Sequence, residues 1–481
     1  MDAQNPSGRN FWPTMPPIHT TVDLGIWIEA VCQYMMPILI ETQIPLQIPI
    51  ANRSGFKRLD PVDPSSIQSI LSRHVLPSLD ATTRASLETY QSCIQAYFQN
   101  RNTDGWLNTF TFDNTAFEKH PSNPNVSNLI RVKTVSEIGE MTQDLNSLPD
   151  PDKWTPLEIN GTTKSYMTPE WGTVNSGILN GDVQNAIQNE AQLLFPTADQ
   201  WKQEIKNIKT AQENLNDEQK MIAEYWLQSG GERVNDVSGT AGTLYGTVSP
   251  CGVWLAFADI YLRSNSRPIE DEIRYYMTIS AGLFETSLLT WKIKRANLQA
   301  RPIQKIRQLL YNTTTNINTL IHQDWNPRTP GTSTTSGAYW IPYQTLNSVT
   351  PPFPDFCAGH SAFGGVAAKL MNYLTGTDMV VLQNPVTSSP IFKYTCQLFY
   401  NNNGWINASI NNIFLYPRCS AIQPASVPLS GIRLNWPTWS QMANSNSQSR
   451  IYCGVHWDSS NQAGLLVGNQ IADALWNVLH L

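Results

Sequence analysis

The amino-acid sequence predicts an all-α protein: helix bundles joined by long irregular loops. Two observations carry that expectation. Beyond Thr197, apolar residues recur at helical periods over long stretches. Those stretches are bounded by helix start and stop chemistry, with acids and amide side chains in front and Gly-Gly or X-Pro behind. Composition adds a third. With 41% hydrophobic and 10% aromatic residues among 481, the chain is far too apolar to be intrinsically disordered.

Residues 1–150 alternate short apolar runs with Pro and Asn, and helices are predicted there over Val22–Met36 and Pro64–Gln99, the second broken near Pro77. This region is expected to pack on a core domain formed by residues 151–481. Asp150-Pro151-Asp152 and the polar run to Thr168 read as a loop. Leu215–Leu227 reads as a helix with Asn216 or Asp217 as cap and Gly230-Gly231 as its stop. Further helices are expected over Gly252–Arg263 and over Ile269–Gln299, the latter stopping before Arg301-Pro302 because a residue preceding proline avoids the helical region. Thr329–Pro354 is loop-rich, Gly359–Leu374 helical, 376–448 a long Asn-, Ser- and Pro-rich insertion, and Gln462–Leu479 a final helix.

Charge is sparse: DEKR residues make up 15%, against about 25% in an average soluble domain. Lys plus Arg at 32 against Asp plus Glu at 38 gives a net charge of −6, which excludes the basic footprint of a nucleic-acid binder. Pro37, Glu41, Pro45 and Pro49 interrupt the most apolar early stretch, so no membrane span is expected. The start, Met1-Asp2-Ala3-Gln4, lacks the basic flank of a signal peptide. Seven cysteines without a CxxC pair read as free thiols of a reducing compartment, favouring the cytoplasm. Homo-oligomerisation is left open.

Three segments concentrate groups suited to an anion. The first is Trp291-Lys292-Ile293-Lys294 through Arg301-Pro302; on one continuous helix Lys294 and Arg301, seven residues apart, would share a face with Trp291 beside them. A solvated basic face including Lys292, Arg295, Lys305 and Arg307 explains the same pattern. The second is Phe353-Pro354-Asp355-Phe356-Cys357-Ala358-Gly359-His360, where a proline-stiffened loop delivers Gly359 and His360 to a helix N-terminus whose free N–H groups favour an anion; a helix cap with an incidental histidine is the plainer alternative. The third, Ser449-Arg450 through Gly454 to His456, offers a bidentate guanidinium and an imidazole. Six residues place them about 120° apart on an ideal helix, so their convergence requires Arg450 to precede the regular helix. Taken singly, such an Arg and His serve more often at the surface or as core partners.

In order and spacing, the three segments resemble the vanadium-dependent haloperoxidases, which share a helical fold and anion pocket with type 2 phosphatidic-acid and acid phosphatases. The signature K-x6-R-P, P-S-G-H, S-R-x3-G-x-H reads here as Lys294 to Arg301-Pro302, Cys357-Ala358-Gly359-His360, and Ser449-Arg450 to Gly454 and His456. Trp154-Thr155-Pro156 followed by Trp171-Gly172, Leu215–Trp226 and Pro250-Cys251-Gly252-Val253-Trp254 extend the resemblance over roughly residues 150–480.

The resemblance implies oxidation of halide by hydrogen peroxide at a histidine-bound vanadate, with phosphate able to occupy the same site. His456 would ligate vanadium. Lys294, Arg301 and Arg450 would neutralise the oxygens with help from the Gly359 N–H, and His360 would act as acid and base. Trp291 and Phe353 look similar to residues lining the halide pocket of chloroperoxidase-like members, though two core aromatics would read the same way. Two departures stand out: Ala358 replaces the signature serine, and Ser460 occupies the position of the closing aspartate that in the phosphatases orients the nucleophilic histidine. Cys357 and Cys453 lie inside the motifs, where peroxide threatens thiols. Hydrolysis of a phosphate ester is the alternative enzymatic expectation. A catalytically impaired structural or interaction protein that keeps the fold is the third.

Overall fold

The computed structural model describes most of residues 152–227, 250–311, 340–381 and 433–479, Ile422, and short strand segments at 119–132, 320–321, 335–336 and 397–406. The helices predicted at Val22–Met36 and Pro64–Gln99 lie outside the described residues. The chain divides into two compact units, Met1–Phe112 with Met167–Asn180, and Asp113–Tyr166 with Gly181–Leu481. Of the first, residues 167–180 are described, and they contain a single 3₁₀ turn, Pro169–Thr173.

The second unit is built on nine described helices: α1 Gly181–Gln192, α2 Trp201–Glu213, α3 Asp217–Leu227, α4 Gly252–Ser264, α5 Ile269–Asn297, α6 Pro302–Tyr311, α7 Gly359–Thr375, α8 Trp439–Cys453 and α9 Asp458–Leu479. Helix α7 is central and packs on α9, α8 and α5, while α8 also packs on α3. The prediction of a mainly helical bundle is met. Its boundaries follow from local chemistry. Asn216 caps α3 by accepting the Gln219 N–H at 2.9 Å, and the Gln219 side chain accepts the Asn216 N–H at 3.0 Å, a reciprocal capping pair.

Several expectations are corrected. The segment 150–168 is not all loop: Leu157–Ile159 pairs with Ile130–Val132 in parallel and with Thr162–Lys164 antiparallel. Leu157 and Ile159 are buried in a core cluster with Ile208, Ile303, Ile306, Trp340 and Val455, so tertiary burial recruits them as a strand. Helix α5 stops at Asn297, not Gln299, because Leu298 turns left-handed (φ 50°). Within the stretch 376–448 read as an insertion, Trp439–Gln448 is helical and forms the start of α8. Asn and Ser give α8 weak intrinsic propensity. It is held by the Thr438 side chain, which accepts the Gln441 N–H at 3.1 Å, and by the buried Trp439, Met442, Ala443 and Ile451. Helices α1, α2 and α6 lacked a prediction of their own.

Helices α7 and α9 touch backbone to backbone. A Cβ at Gly468 would stand 2.2 Å from the Ala362 carbonyl oxygen, and one at Gly464 2.4 Å from that of Ala358. Only glycine allows this approach, which brings the residues before α7 and before α9 together.

Candidate oxyanion site

Lys294 stands in the last turn of α5, a position where a cation complements the helix dipole. Arg301 does not share that helix. It lies in the link between α5 and α6, so the two residues converge through the left-handed turn at Leu298 and not through helical periodicity. Residues 152–155 pin the link: Trp154 N–H donates to Leu298 O at 2.6 Å, Ala300 N–H to Asp152 O at 2.9 Å, and Thr155 N–H to the Gln304 side chain at 3.0 Å.

The proline-rich loop before α7 supplies carbonyls to both cations. Lys294 Nζ donates to Pro354 O at 2.9 Å and to Asp355 O at 2.5 Å. Arg301 Nε donates to Phe353 O at 2.7 Å, and its Nη1 to Val455 O at 2.8 Å. Phe353 lies beneath both, 5.1 Å from Lys294 Nζ and 4.8 Å from the Arg301 guanidinium carbon. Trp291, whose ring centre is 5.0 Å from that of Phe353, completes an aromatic wall with Lys294 Nζ 6.0 Å away. Ala358 N–H donates to Ser460 O at 2.9 Å, tying the start of α7 to α9. At Gly359, the first residue of α7, a Cβ would meet Trp291 at 3.8 Å and Phe363 at 3.7 Å, ordinary contacts that leave the position compatible with a small side chain.

Arg450 sits in the last turn of α8 and not ahead of the helix as the spacing demanded. Gly454, at φ 72°, ends α8, and this left-handed cap frees His456 from the 120° helical offset. A Cβ at Gly454 would also lie 2.8 Å from the Trp340 ring. His456 then falls in the short link before α9. Trp457 anchors that link, donating from its indole to Ala300 O at 2.9 Å and packing edge-on against Trp201 at 5.0 Å. Glu204 caps α9, accepting the N–H groups of Asp458 at 2.8 Å and Ser459 at 3.1 Å; sequence inspection gave no sign of this cap.

Around His456 the groups are close. Its Nε2 is 3.0 Å from Arg301 Nη1. Its Nδ1 is 3.0 Å from Asp355 Oδ1 and 3.4 Å from Ser460 Oγ. Asp355 Oδ2 stands 3.9 Å from Arg301 Nη1. His360 is half-buried; its Nε2 faces the Trp226 carbonyl at 3.1 Å, with Arg450 Nη1 3.5 Å away. Arg450 Nε donates to Ser449 Oγ at 3.0 Å, and its Nη2 approaches Cys453 Sγ at 3.6 Å. Asp355 was not among the sequence candidates. Its signal was available as the one ionisable residue in an otherwise apolar, proline-rich run beside the second motif.

Burial dominates the electrostatics. Lys294, Arg301, Arg450, Asp355 and His456 are all at most 1% exposed. Desolvation, reinforced by Arg301, lowers the Lys294 amine to about 7, and desolvation lowers Arg301 to about 10. Asp355 is raised to about 6 by desolvation, which outweighs the opposing pull of Arg301 and Lys294. Both imidazoles fall well below their ordinary value, first through burial and then through nearby guanidinium groups, Arg450 for His360 and Arg301 for His456. Burial also raises Cys357 to about 11 and pushes Cys453 upward. Both are therefore held as thiols, the form least reactive toward an oxidant.

The residues present fit a small, multiply charged oxyanion. Arg301 Nη2 is buried without a hydrogen-bond partner among the described residues, and Lys294 keeps one of its three donors beyond the two carbonyls it meets. A neutral imidazole, here with Nε2 facing the Arg301 Nη1 donor at 3.0 Å, is also the form in which histidine binds a metal.

Comparison with known proteins agrees with this architecture. Residues 274–481 match the family described as the VCPO second helical-bundle domain. Two solved structures of bacterial vanadium-dependent chloroperoxidase are similar in fold. The apo form gives a TM-score of 0.54 at 15% identity, covering 96% of this chain and 94% of the other. The holo form gives 0.50 at 14% identity, covering 96% and 92%. No curated protein sequence matches the chain. Among the described residues no helix is long and apolar enough to cross a membrane. Residues 274–481 thus match the second helical-bundle domain of the VCPO family, and the chain is similar in fold to vanadium-dependent chloroperoxidase.

Proposed function

We propose that the protein is a vanadium-dependent haloperoxidase-like enzyme, which binds vanadate at the buried cation cluster and oxidises halide with hydrogen peroxide. The observation that carries the proposal is the gathering of three buried basic side chains, Lys294, Arg301 and Arg450, near a buried neutral imidazole. Several preorganised donors in a dry site are what a multiply charged oxyanion requires. Lys294, Arg301 and Arg450 would hold the oxygens, joined by the Gly359 N–H at the positive end of α7. His456 would offer its Nε2 lone pair as the vanadium ligand. His360, its Nε2 proton resting on the Trp226 carbonyl, would exchange a proton with the reacting oxygen. Trp291 and Phe353 would wall off water on the halide side. Vanadate, when bound, supplies a Lewis-acidic centre that activates peroxide toward halide.

The test is to add orthovanadate to the protein, measure binding by calorimetry, and follow peroxide-dependent oxidation of bromide or iodide. Saturable binding with oxidation, both lost in His456→Ala, is the expected result. Intact vanadate binding without halide oxidation refutes the proposal.

A specific contact favours a second reading, phosphate-ester hydrolysis. Asp355 stands at His456 Nδ1 at 3.0 Å, and a nucleophilic histidine is activated by such a partner. Hydrolysis of an aryl phosphate in the absence of vanadate, inhibited by added vanadate, would establish it.

A further inference from the structure

We infer that Asp355 is a positioning residue for His456, taking over from the loop before α7 the carboxylate function that Ser460 cannot provide. The inference rests on the proposed role of His456 as the residue that meets the anion. It goes beyond that role in naming a residue outside the signature positions.

Four observations support it. Asp355 Oδ1 is 3.0 Å from His456 Nδ1, a hydrogen-bond distance, and a carboxylate oxygen there accepts the Nδ1 proton. That fixes the tautomer with Nε2 unprotonated, in keeping with Nε2 facing the Arg301 Nη1 donor at 3.0 Å, nearer than Nδ1 at 3.4 Å. Ser460 reaches the same Nδ1 at only 3.4 Å, and its hydroxyl also donates to the Asp355 carbonyl at 3.2 Å. The two positions therefore address one imidazole nitrogen from opposite sides of the α7–α9 contact. Lastly, the aspartate is held from its own backbone. Its N–H donates to Gln299 O at 3.0 Å and its carbonyl accepts from Lys294, so the loop that positions the carboxylate is itself fastened to the cation-bearing link. Partners of this kind fix the tautomer and orientation of ligating histidines.

Because Ser460 already reaches Nδ1, the carboxylate can be moved. We consider Asp355→Asn, which keeps an acceptor but drops the charge, Asp355→Ala, which drops both, and Asp355→Ala/Ser460→Asp, which restores both from the other side. With 15N-labelled histidine and His456→Gln to assign the signal, the ring nitrogens report the tautomer directly, with no anion added. The expected result is a single Nδ1–H tautomer in the wild type and in Asp355→Asn, appearance of the Nε2–H form in Asp355→Ala, and its disappearance in the relocated variant. A residue acting only through its charge would make Asp355→Asn and Asp355→Ala alike. An unchanged tautomer in Asp355→Ala overturns the inference, as does a wild type protonated at Nε2. If Asp355→Ala does not fold, Asp355→Asn decides: the downfield Nδ1 proton must move upfield when amide replaces carboxylate, and its failure to move overturns the inference. Orthovanadate affinity provides the second readout, with a loss of about 10- to 100-fold in Asp355→Ala, recovered in the relocated variant. Failure of the wild type to bind vanadate would sink the proposed function while leaving the tautomer result to stand or fall alone.

Discussion

Lys294 offers the sharpest quantitative test of the buried cluster. The side chain is fully buried, and desolvation followed by repulsion from Arg301 lowers its amine from 10.5 to about 7. That difference corresponds to about 5 kcal/mol at roughly 1.4 kcal/mol per pH unit. About 4 kcal/mol of it persists at pH 7, where the amine is half-neutral in the folded protein and charged in the unfolded one. The unfolded chain binds more protons than the folded one throughout the window from about 7 to 10.5, so this contribution makes stability rise with pH there. Lys294→Met removes the titrating group. It also removes the hydrogen bonds to Pro354 O and Asp355 O, a cost that does not vary with pH. Urea unfolding of both proteins in phosphate-free buffers should show the wild type gaining about 3 kcal/mol on the variant between pH 7 and pH 10. A difference that stays flat across this range would refute the claim that burial depresses Lys294. Binding supplies an independent check. An oxyanion held at the cluster returns Lys294 to its ammonium form, so phosphate or orthovanadate titrated at pH 8 should take up about one more proton in the wild type than in Lys294→Met. Calorimetry in two buffers of different ionisation enthalpy measures the uptake.

Gly468→Ala places a methyl group 2.2 Å from the Ala362 carbonyl oxygen and 2.7 Å from the Val366 nitrogen. Both are backbone atoms, so α7 and α9 must separate; we expect a loss of about 2 kcal/mol or more in urea unfolding with weakened phosphate binding, and a fully stable variant would contradict the packing described. The motif thiols should resist peroxide. With Cys357 raised from 9.0 to about 11, its thiolate fraction drops about 100-fold, and mass spectrometry after brief peroxide treatment should find Cys357 and Cys453 unoxidised in native protein but oxidised in urea; rapid oxidation in the native state would show that the cage is open to oxidant.

What could be read along the chain was local chemistry. The cap at Asn216, the long α5, the helix start at Gly359 and the apolar body of α9 are written in residues a few positions apart, where periodicity and capping operate. Motif spacing singled out Lys294, Arg301, Arg450 and His456, but its geometric rationale was wrong in two places. Lys294 and Arg301 were expected to share a helical face, and Arg450 was expected to precede its helix. In both cases a residue in the left-handed region, Leu298 or Gly454, breaks the helix between the partners and redirects the chain. A single such dihedral follows from tertiary packing, here Trp154 on the Leu298 carbonyl and Trp340 against Gly454, and leaves little trace in sequence pattern. Helix α8 escaped for a related reason, since its Asn- and Ser-rich segment is helical through burial against α3 and α7 and not through propensity.

The sequence by itself determined that the protein is a helical bundle with a local concentration of cations and two histidines on an acidic chain, because periodicity, caps and motif spacing are properties of neighbours along the chain. Only the tertiary structure decided which carboxylate serves His456. Asp355 and His456 are 101 residues apart in sequence. They meet because glycines at 464 and 468 let α7 and α9 touch, a contact made by packing across the fold.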